Sequence, residues 1–298
     1  MVEQIQAAQQ YLRQTQLNDG SWPYYLTSDQ GSPEPTCLAA LALAGVDEDT
    51  AVTSALNWLT NLVDKNGAVI LPGDDEPHWS TAHLAITLTH LKHDEPLRDQ
   101  TITWLLDWHG NEPGNSQESN AKADPYGAII LDPTLIGWSW ISNTFSWVEP
   151  TCYGLLALKK AGIRHHERIT QAEAMLLDRV CVGGGWNVGN PIVWGQAIEA
   201  ALPQTALALL ALQDKPADTI TEQGLALLLD ETNKAYSTLS LALTILCLQA
   251  YKLPASVFVD RLLQRQLPDG SWRQMTQLTA LAVLALQSVG GGSNVYQL

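Results

Sequence analysis

Apolar residues recur along this chain in two alternating patterns. Stretches such as Leu207-Ala208-Leu209-Leu210-Ala211-Leu212 and Leu241-Ala242-Leu243-Thr244-Ile245-Leu246 are apolar almost all round, so a helix built from them has no face to offer water and must be buried on every side. Between them run amphipathic stretches such as Val259-Asp260-Arg261-Leu262-Leu263-Gln264-Arg265, which suit a helix with one buried face. Paired in chain order, amphipathic first and apolar second, they divide the chain into six segments: 7–45, 54–91, 100–162, 169–213, 220–252 and 256–287. The first helix of a pair carries a bulky couple such as Tyr11-Leu12, Trp58-Leu59, Trp104-Leu105 or Met175-Leu176. A turn of Gly, Asn or Asp ends it, as at Asp19-Gly20, Asn66-Gly67, Gly183-Gly184-Gly185 and Asp269-Gly270. The second helix then starts near Thr36, Thr81, Thr151, Thr205, Thr238 or Thr279.

Two phrases make the repeat explicit. Gln16-Leu17-Asn18-Asp19-Gly20-Ser21-Trp22 returns near the end as Gln266-Leu267-Pro268-Asp269-Gly270-Ser271-Trp272, and Glu34-Pro35-Thr36-Cys37 returns as Glu149-Pro150-Thr151-Cys152. Such self-similarity indicates a repeat architecture. An inner ring of all-apolar helices inside an outer ring of amphipathic ones satisfies both patterns. Six pairs are enough to close it, which removes the exposed ends an open solenoid must cap. The expectation is an all-α fold, an (α/α)6 toroid with a central cavity, forming a single domain over residues 1–287 with its inner helices parallel. In it the Gln side chains cap free groups at helix ends, while Trp22, Trp186 and Trp272 clamp neighbouring helices. The second copy has Val69 in place of the Trp, and the fifth is degenerate.

The period breaks between about Gly110 and Ser146, where an insertion holds Asp124-Pro125-Tyr126-Gly127 and Gly137-Trp138-Ser139-Trp140. Long loops of this kind are commonly lids, and the aromatic end of this one should fold over a barrel mouth. The tail, residues 288–298, contains Gly290-Gly291-Gly292-Ser293 and reads as flexible.

A net charge of -15 and a pI near 4.7 argue against nucleic acid and against an anionic membrane surface, both of which call for basic patches. A lipophilic small molecule or a protein is the partner this leaves. The N-terminal residues show no signal-like core, and no run of ~18 apolar residues occurs, so a cytoplasmic protein without stable membrane insertion is expected. The four cysteines, Cys37, Cys152, Cys181 and Cys247, sit in apolar stretches as ordinary buried thiols.

The Q-x-x-D-G-S-W phrases and the Pro-Thr helix starts resemble the repeats shared by squalene-hopene and oxidosqualene cyclases, other class II terpenoid cyclases and protein prenyltransferase β-subunits, over essentially residues 7–287. That resemblance implies an aromatic-lined barrel for an isoprenoid or prenyl chain, with one barrel where the large triterpene cyclases have two. Two departures stand out. The D-x-D-D acid motif of class II cyclases is absent, and Asp74-Asp75-Glu76, the nearest acidic cluster, follows Pro72-Gly73 in a turn. The zinc ligands of the prenyltransferases have no counterpart either: Asp178 and Cys181 have the wrong spacing, and His78 and His83 flank a helix start off the matching position. No metal and no cofactor are expected.

One offset still places an acid. In the cyclases the proton-donating Asp lies two residues before a Thr that opens an inner helix, and here Glu34 and Glu149 stand two before Thr36 and Thr151; the other copies have Trp79, Pro203, Tyr236 and Gln277 there. With Pro35 and Pro150 taken as first helical residues, each Glu is either a capping carboxylate, its pKa lowered by the helix dipole, or a proton donor whose pKa is raised by an apolar cavity. Trp138, Trp140, Trp147, Trp194, Tyr126 and Tyr236 could line that cavity and stabilise carbocations through their faces. They could equally be plain core. His83, two residues into an inner helix, is a substrate contact or a satisfied core histidine. No P-loop, G-x-S-x-G or dinucleotide fingerprint is present. Three functions follow: a small terpenoid-cyclase-like enzyme using a carboxylic acid, a non-catalytic barrel for a lipophilic ligand or a protein, and, less directly, an (α/α)6 glycosidase with paired carboxylates.

Overall fold

The computed structural model describes residues 1–45, 50–71, 73–110, 131–230, 232 and 236–298. Its helices are α1 (Val2–Gln14), α2 (Pro33–Leu43), α3 (Thr50–Thr60), α4 (Thr81–Leu91), α5 (Glu95–Asp107), α6 (Val148–Lys160), α7 (Glu167–Asp178), α8 (Leu202–Leu212), α9 (Thr219–Leu229), α10 (Thr238–Ala250), α11 (Ser256–Leu263) and α12 (Thr276–Val289). The strands among the described residues form one small hairpin, β1 (Ile192–Val193) with β2 (Gln196–Ala197).

The even-numbered helices form the inner ring. Each packs on the next, α2 on α4, α4 on α6, then α8, α10 and α12, and α12 returns to α2. Their apolar sequences are buried as the pattern demands: every residue of α2 from Pro33 to Leu43 is buried. Four of them, α2, α6, α8 and α12, begin one turn before the threonine that marks them in sequence. Pro35 and Pro150 therefore sit inside the first turn and not at its first position. There a missing N–H costs nothing, because the first four amides of a helix have no partner within it. Helices α2 and α12 meet at their N-termini through Gln277 and Glu34, and α6 and α8 do so through Gln204 and Glu149. At the other end Lys159 of α6 donates to the Ala211 carbonyl of α8. Contacts that join N-terminus to N-terminus and C-terminus to C-terminus make these neighbours parallel.

Each outer helix covers mainly the inner helix that precedes it: α3 on α2, α5 on α4, α7 on α6, α9 on α8 and α11 on α10, while α1 covers α12 and so closes the ring with the chain's own beginning. The repeated phrases make these seams. The Trp22, Trp186 and Trp272 indoles donate to the carbonyls of Leu12, Leu176 and Leu262 at 2.7–2.8 Å, and each backbone amide donates to the threonine of the following inner helix, Thr36, Thr205 and Thr279. Val69 keeps the amide bond to Thr81 and lacks the indole bond. Gln16 and Gln266 bridge their own turn to the next outer helix, at Ala51 and Gln4, each at 2.8 Å. Gly20 and Gly270 adopt φ of +94° and +87°, and a Cβ there would stand 2.6 and 2.5 Å from the carbonyl oxygens of Ser54 and Ala7. Only glycine fits both the conformation and that approach.

The tail is packed, not free. Val295 and Tyr296 are buried, and Asn294 donates to the Leu246 carbonyl at 2.8 Å while Gln213 donates to the Tyr296 carbonyl at 2.8 Å. The glycines turn the chain back across the C-terminal end of the inner ring, where its partners lie far away in sequence.

Candidate functional site

Glu34 is the second residue of α2, at the N-terminal mouth of the ring, and is only 4% exposed. Its carboxyl accepts a very short hydrogen bond from the Tyr24 hydroxyl and one of 2.7 Å from Gln277 Nε2. His83 Nε2, from α4, stands 3.8 Å away. Burial pushes the Glu34 pKa up to about 7; the Tyr24 and Gln277 hydrogen bonds pull against that shift, and the charge of Glu149 adds to it. His83 is driven the other way, down to about 3, by burial and by neighbouring His78. The contact is therefore between a carboxyl that retains its proton to neutral pH and a neutral imidazole, and does not form an ion pair. Both His83 ring nitrogens are buried without a hydrogen-bond partner, so His83 is not a satisfied core histidine.

Around this pair the rings form a continuous wall. His83 faces Tyr153 of α6 at a centroid distance of 4.1 Å and meets Trp79 edge-on at 4.9 Å; Trp79 in turn meets Trp140 edge-on at 4.5 Å. Tyr153 continues inward to Tyr296 at 6.1 Å. Glu149, second residue of α6, is half-buried and accepts from Gln204 at 3.2 Å; burial raises its pKa. Both acids act electrostatically on Tyr24, Tyr153 and Tyr296, which places them around one interior. In Glu34 desolvation outweighs the favourable dipole at the helix start, the reverse of what a simple capping carboxylate would show.

The remaining candidates separate by position. Trp140 belongs to the wall. Trp147 caps the loop before α6, half-buried and 5.0 Å from the Phe145 ring. Trp138 does not face the mouth: it is 1% exposed, its indole donates to the Leu105 carbonyl at 3.1 Å, its amide takes Thr151, and the Arg168 guanidinium lies over its ring. It is the third-copy clamp. Tyr236 is likewise a clamp, since its hydroxyl donates to the Leu228 carbonyl and its ring packs on Phe258. Trp194 sits at the tip of the β1–β2 hairpin, 69% exposed with φ of +52°. Tyr126 lies outside the described residues. Tyr24, Trp79, Tyr153, Gln277 and Tyr296 join the site without having been singled out as ligand contacts. For Trp79 and Gln277 a signal existed, because both occupy the same offset before a threonine that selects Glu34 and Glu149.

Among the described residues no group of three or more His, Cys, Asp or Glu side chains converges as metal ligands would, and no helix is long and apolar enough to cross a membrane. No family model matches the chain, and no curated protein matches it. Solved structures do. The type II terpene cyclase MstE from Scytonema aligns at a TM-score of 0.64 and 14% identity, covering 97% of this chain and 98% of its own. A protein from Actinoplanes aligns at 0.63 and 17%, covering 97% and 99%. A novel alpha-amylase from Clostridium perfringens aligns at 0.62 and 12%, covering 96% and 97%. The chain thus shares an all-α toroid with these structures, and at these identities the likeness concerns the fold alone.

Proposed function

We propose that the barrel binds a lipophilic, isoprenoid-type molecule through its N-terminal mouth and that Glu34 starts a cyclisation or isomerisation by protonating it. The observation that carries this reading is a buried carboxyl, its pKa near 7, beside an aromatic wall and without a cationic partner among its contacts. Such a group holds a proton at neutral pH and can deliver it. Transfer of that proton to an alkene carbon makes a C–H bond from the π electrons and leaves a carbocation on the neighbouring carbon. Trp79 and Trp140, in contact with each other and through His83 linked to Glu34, would stabilise that charge by cation–π attraction. Ring closure by a second alkene, or none, followed by transfer of a proton from a carbon next to the cation to the Glu34 carboxylate, forms the new C=C bond, restores the acid and gives a product of unchanged mass. Its offset of two residues before Thr36 supports Glu34 as the substitute for the absent D-x-D-D acid, and Tyr24 and Gln277 hydrogen-bond it.

Incubation with linear polyprenyl alcohols and their epoxides, read by mass spectrometry, tests this. The expected result is an isomer of the substrate from the wild type and none from Glu34→Gln, which keeps the shape but has no acidic proton. Equal turnover by both proteins would refute it. A second reading, hydrolysis of a sugar, is favoured by one observation: Glu34 and Glu149 are two carboxyls of raised pKa at the same mouth, the charge of Glu149 adding to the shift of Glu34. Release of reducing ends from an oligosaccharide, lost in both Glu34→Gln and Glu149→Gln, would select it.

A further inference from the structure

The last part of the insertion and the segment before β1 enclose an open cleft of about 480 Å³, lined by Trp140, Ile141, Thr144, Phe145, Trp147 and Val188. The loop that supplies most of this lining is fastened by polar groups. The Gly137 amide donates to Ser146 Oγ at 2.7 Å, the Trp147 amide to the Trp138 carbonyl at 3.0 Å, and the Ser139 and Thr144 hydroxyls both donate to the Ile141 carbonyl, at 2.9 and 2.8 Å. Arg168 ties down its base through the Ile136 carbonyl at 2.9 Å, and the Val148 amide joins it to the Val188 carbonyl at 3.1 Å. None of these bonds uses the side chain of Ile141, Phe145 or Val188, and those three are 59%, 40% and 56% exposed. Trp147 lies 5.0 Å from the Phe145 ring and so close to Gly189 that a Cβ there would stand 2.9 Å from the indole. Scattered apolar residues on a surface need no explanation. Three that line one concavity with two tryptophans, on a loop fastened without them, mark a binding site.

We propose that this cleft is a binding subsite for a neutral prenyl group, set beside the candidate site and sharing Trp140 with it. The inference rests on the lipophilic-ligand reading above and adds to it the place where the outer part of the ligand is held. Size, charge and continuity select this occupant. The volume lies within the range of about 300 to 1,000 Å³ typical of small-molecule sites, whereas a stable protein interface takes about 20 to 30 residues a side. No charged side chain lines the cleft, so an ionic group would find no partner there. The Trp140 ring meets Trp79 edge-on at 4.5 Å, and Trp79 meets His83 at 4.9 Å, so the cleft and the wall beside Glu34 are built on one aromatic cluster. The cleft opens to solvent, and a ligand reaches it without displacing the packed side chains around Glu34.

The test uses all-trans farnesol, titrated by calorimetry into the wild type, Ile141→Asp, Val188→Asp and Glu34→Gln. A diazirine-bearing farnesol is crosslinked to the wild type in parallel and located by peptide mass spectrometry. Each aspartate puts a charge into the cleft from an already exposed position, so the fold should be kept. Both should weaken binding by about ten-fold or more, and Glu34→Gln should bind as the wild type does. The crosslink should fall within residues 140–147 or at Val188. If an aspartate variant does not fold, the crosslink decides alone. Undiminished binding in both variants with a crosslink elsewhere overturns the subsite and leaves the lipophilic reading standing. Failure of farnesol to bind the wild type overturns both. If in that case the wild type self-associates or binds phosphatidylcholine vesicles and the aspartate variants do not, the occupant is a second copy or a bilayer, and the prenyl subsite is refuted.

Discussion

The two ends of the inner ring each bury an ionisable group, and they treat it in opposite ways. At the C-terminal end Lys159 is 1% exposed and meets Glu173 at 2.8 Å, Asp214 at 2.6 Å and the Ala211 carbonyl at 2.7 Å, with Lys215 and Arg164 completing the charges on those carboxylates. At the N-terminal mouth Glu34 is just as deeply placed and has neutral partners: a tyrosine, a glutamine and an uncharged histidine. A buried charge that is paired and hydrogen-bonded belongs to the scaffold. A buried carboxyl denied a cation retains its proton, and on the function proposed above that proton is the one delivered to the substrate. The difference sets a charged, paired network at one end against an uncharged, proton-holding carboxyl at the other.

The largest expected effect follows from the mouth. Glu34→Gln should lower turnover by about a thousand-fold or more, in the range that a general acid contributes, with the melting temperature little changed near pH 4.5, where both side chains are uncharged. Lys159→Met should do the reverse. It leaves two carboxylates short of their buried partner and should cost about 3 kcal/mol of stability in denaturant titrations, with the pH midpoint of activity unmoved.

A pH effect of similar size separates the two ends again. Glu34 has a folded pKa of about 7 against an ordinary 4.5, so the folded state binds the extra proton between those values. Taken as the difference between wild type and Glu34→Gln, stability should then fall as pH rises from 4.5 to 7 and level off above, by about 3 kcal/mol in all, the opposing titration of His83 and the contribution of Glu149 being common to both proteins. Activity should decline over the upper part of the same window as the donor ionises. The smallest effect is expected from Glu149→Gln. Removal of its charge should lower the Glu34 midpoint and shift the activity profile slightly toward acid, with less than about 1 kcal/mol lost in stability.

How much of this was legible in the sequence depended on distance along the chain. The rings were legible, because a helix apolar all round announces its burial within a dozen residues. The clamps Trp22, Trp186 and Trp272 were legible because each indole bonds a carbonyl only ten residues back. Trp138 makes the same bond across the insertion, 33 residues from Leu105, and so looked like a cavity residue. Tyr236 makes it with a hydroxyl in place of an indole, which hid the fifth copy. The glycine-rich tail suggested flexibility, since composition carries no trace of partners such as Leu246, 48 residues away. Glu34 and Glu149 were picked out by their offset from threonine. Which reading applied to them rested on burial, and burial at the mouth is assembled from α2, α4, α6 and α12 together.

The central claim is that Glu34 keeps its proton to neutral pH because the mouth buries it without a cation among the described residues. Infrared difference titration of the wild type against Glu34→Gln measures this directly, through the carbonyl stretch of the protonated acid. A carboxylic acid band that disappears with a midpoint near pH 7 is the predicted result. A midpoint near 4.5, or no such band above pH 5, would contradict the account.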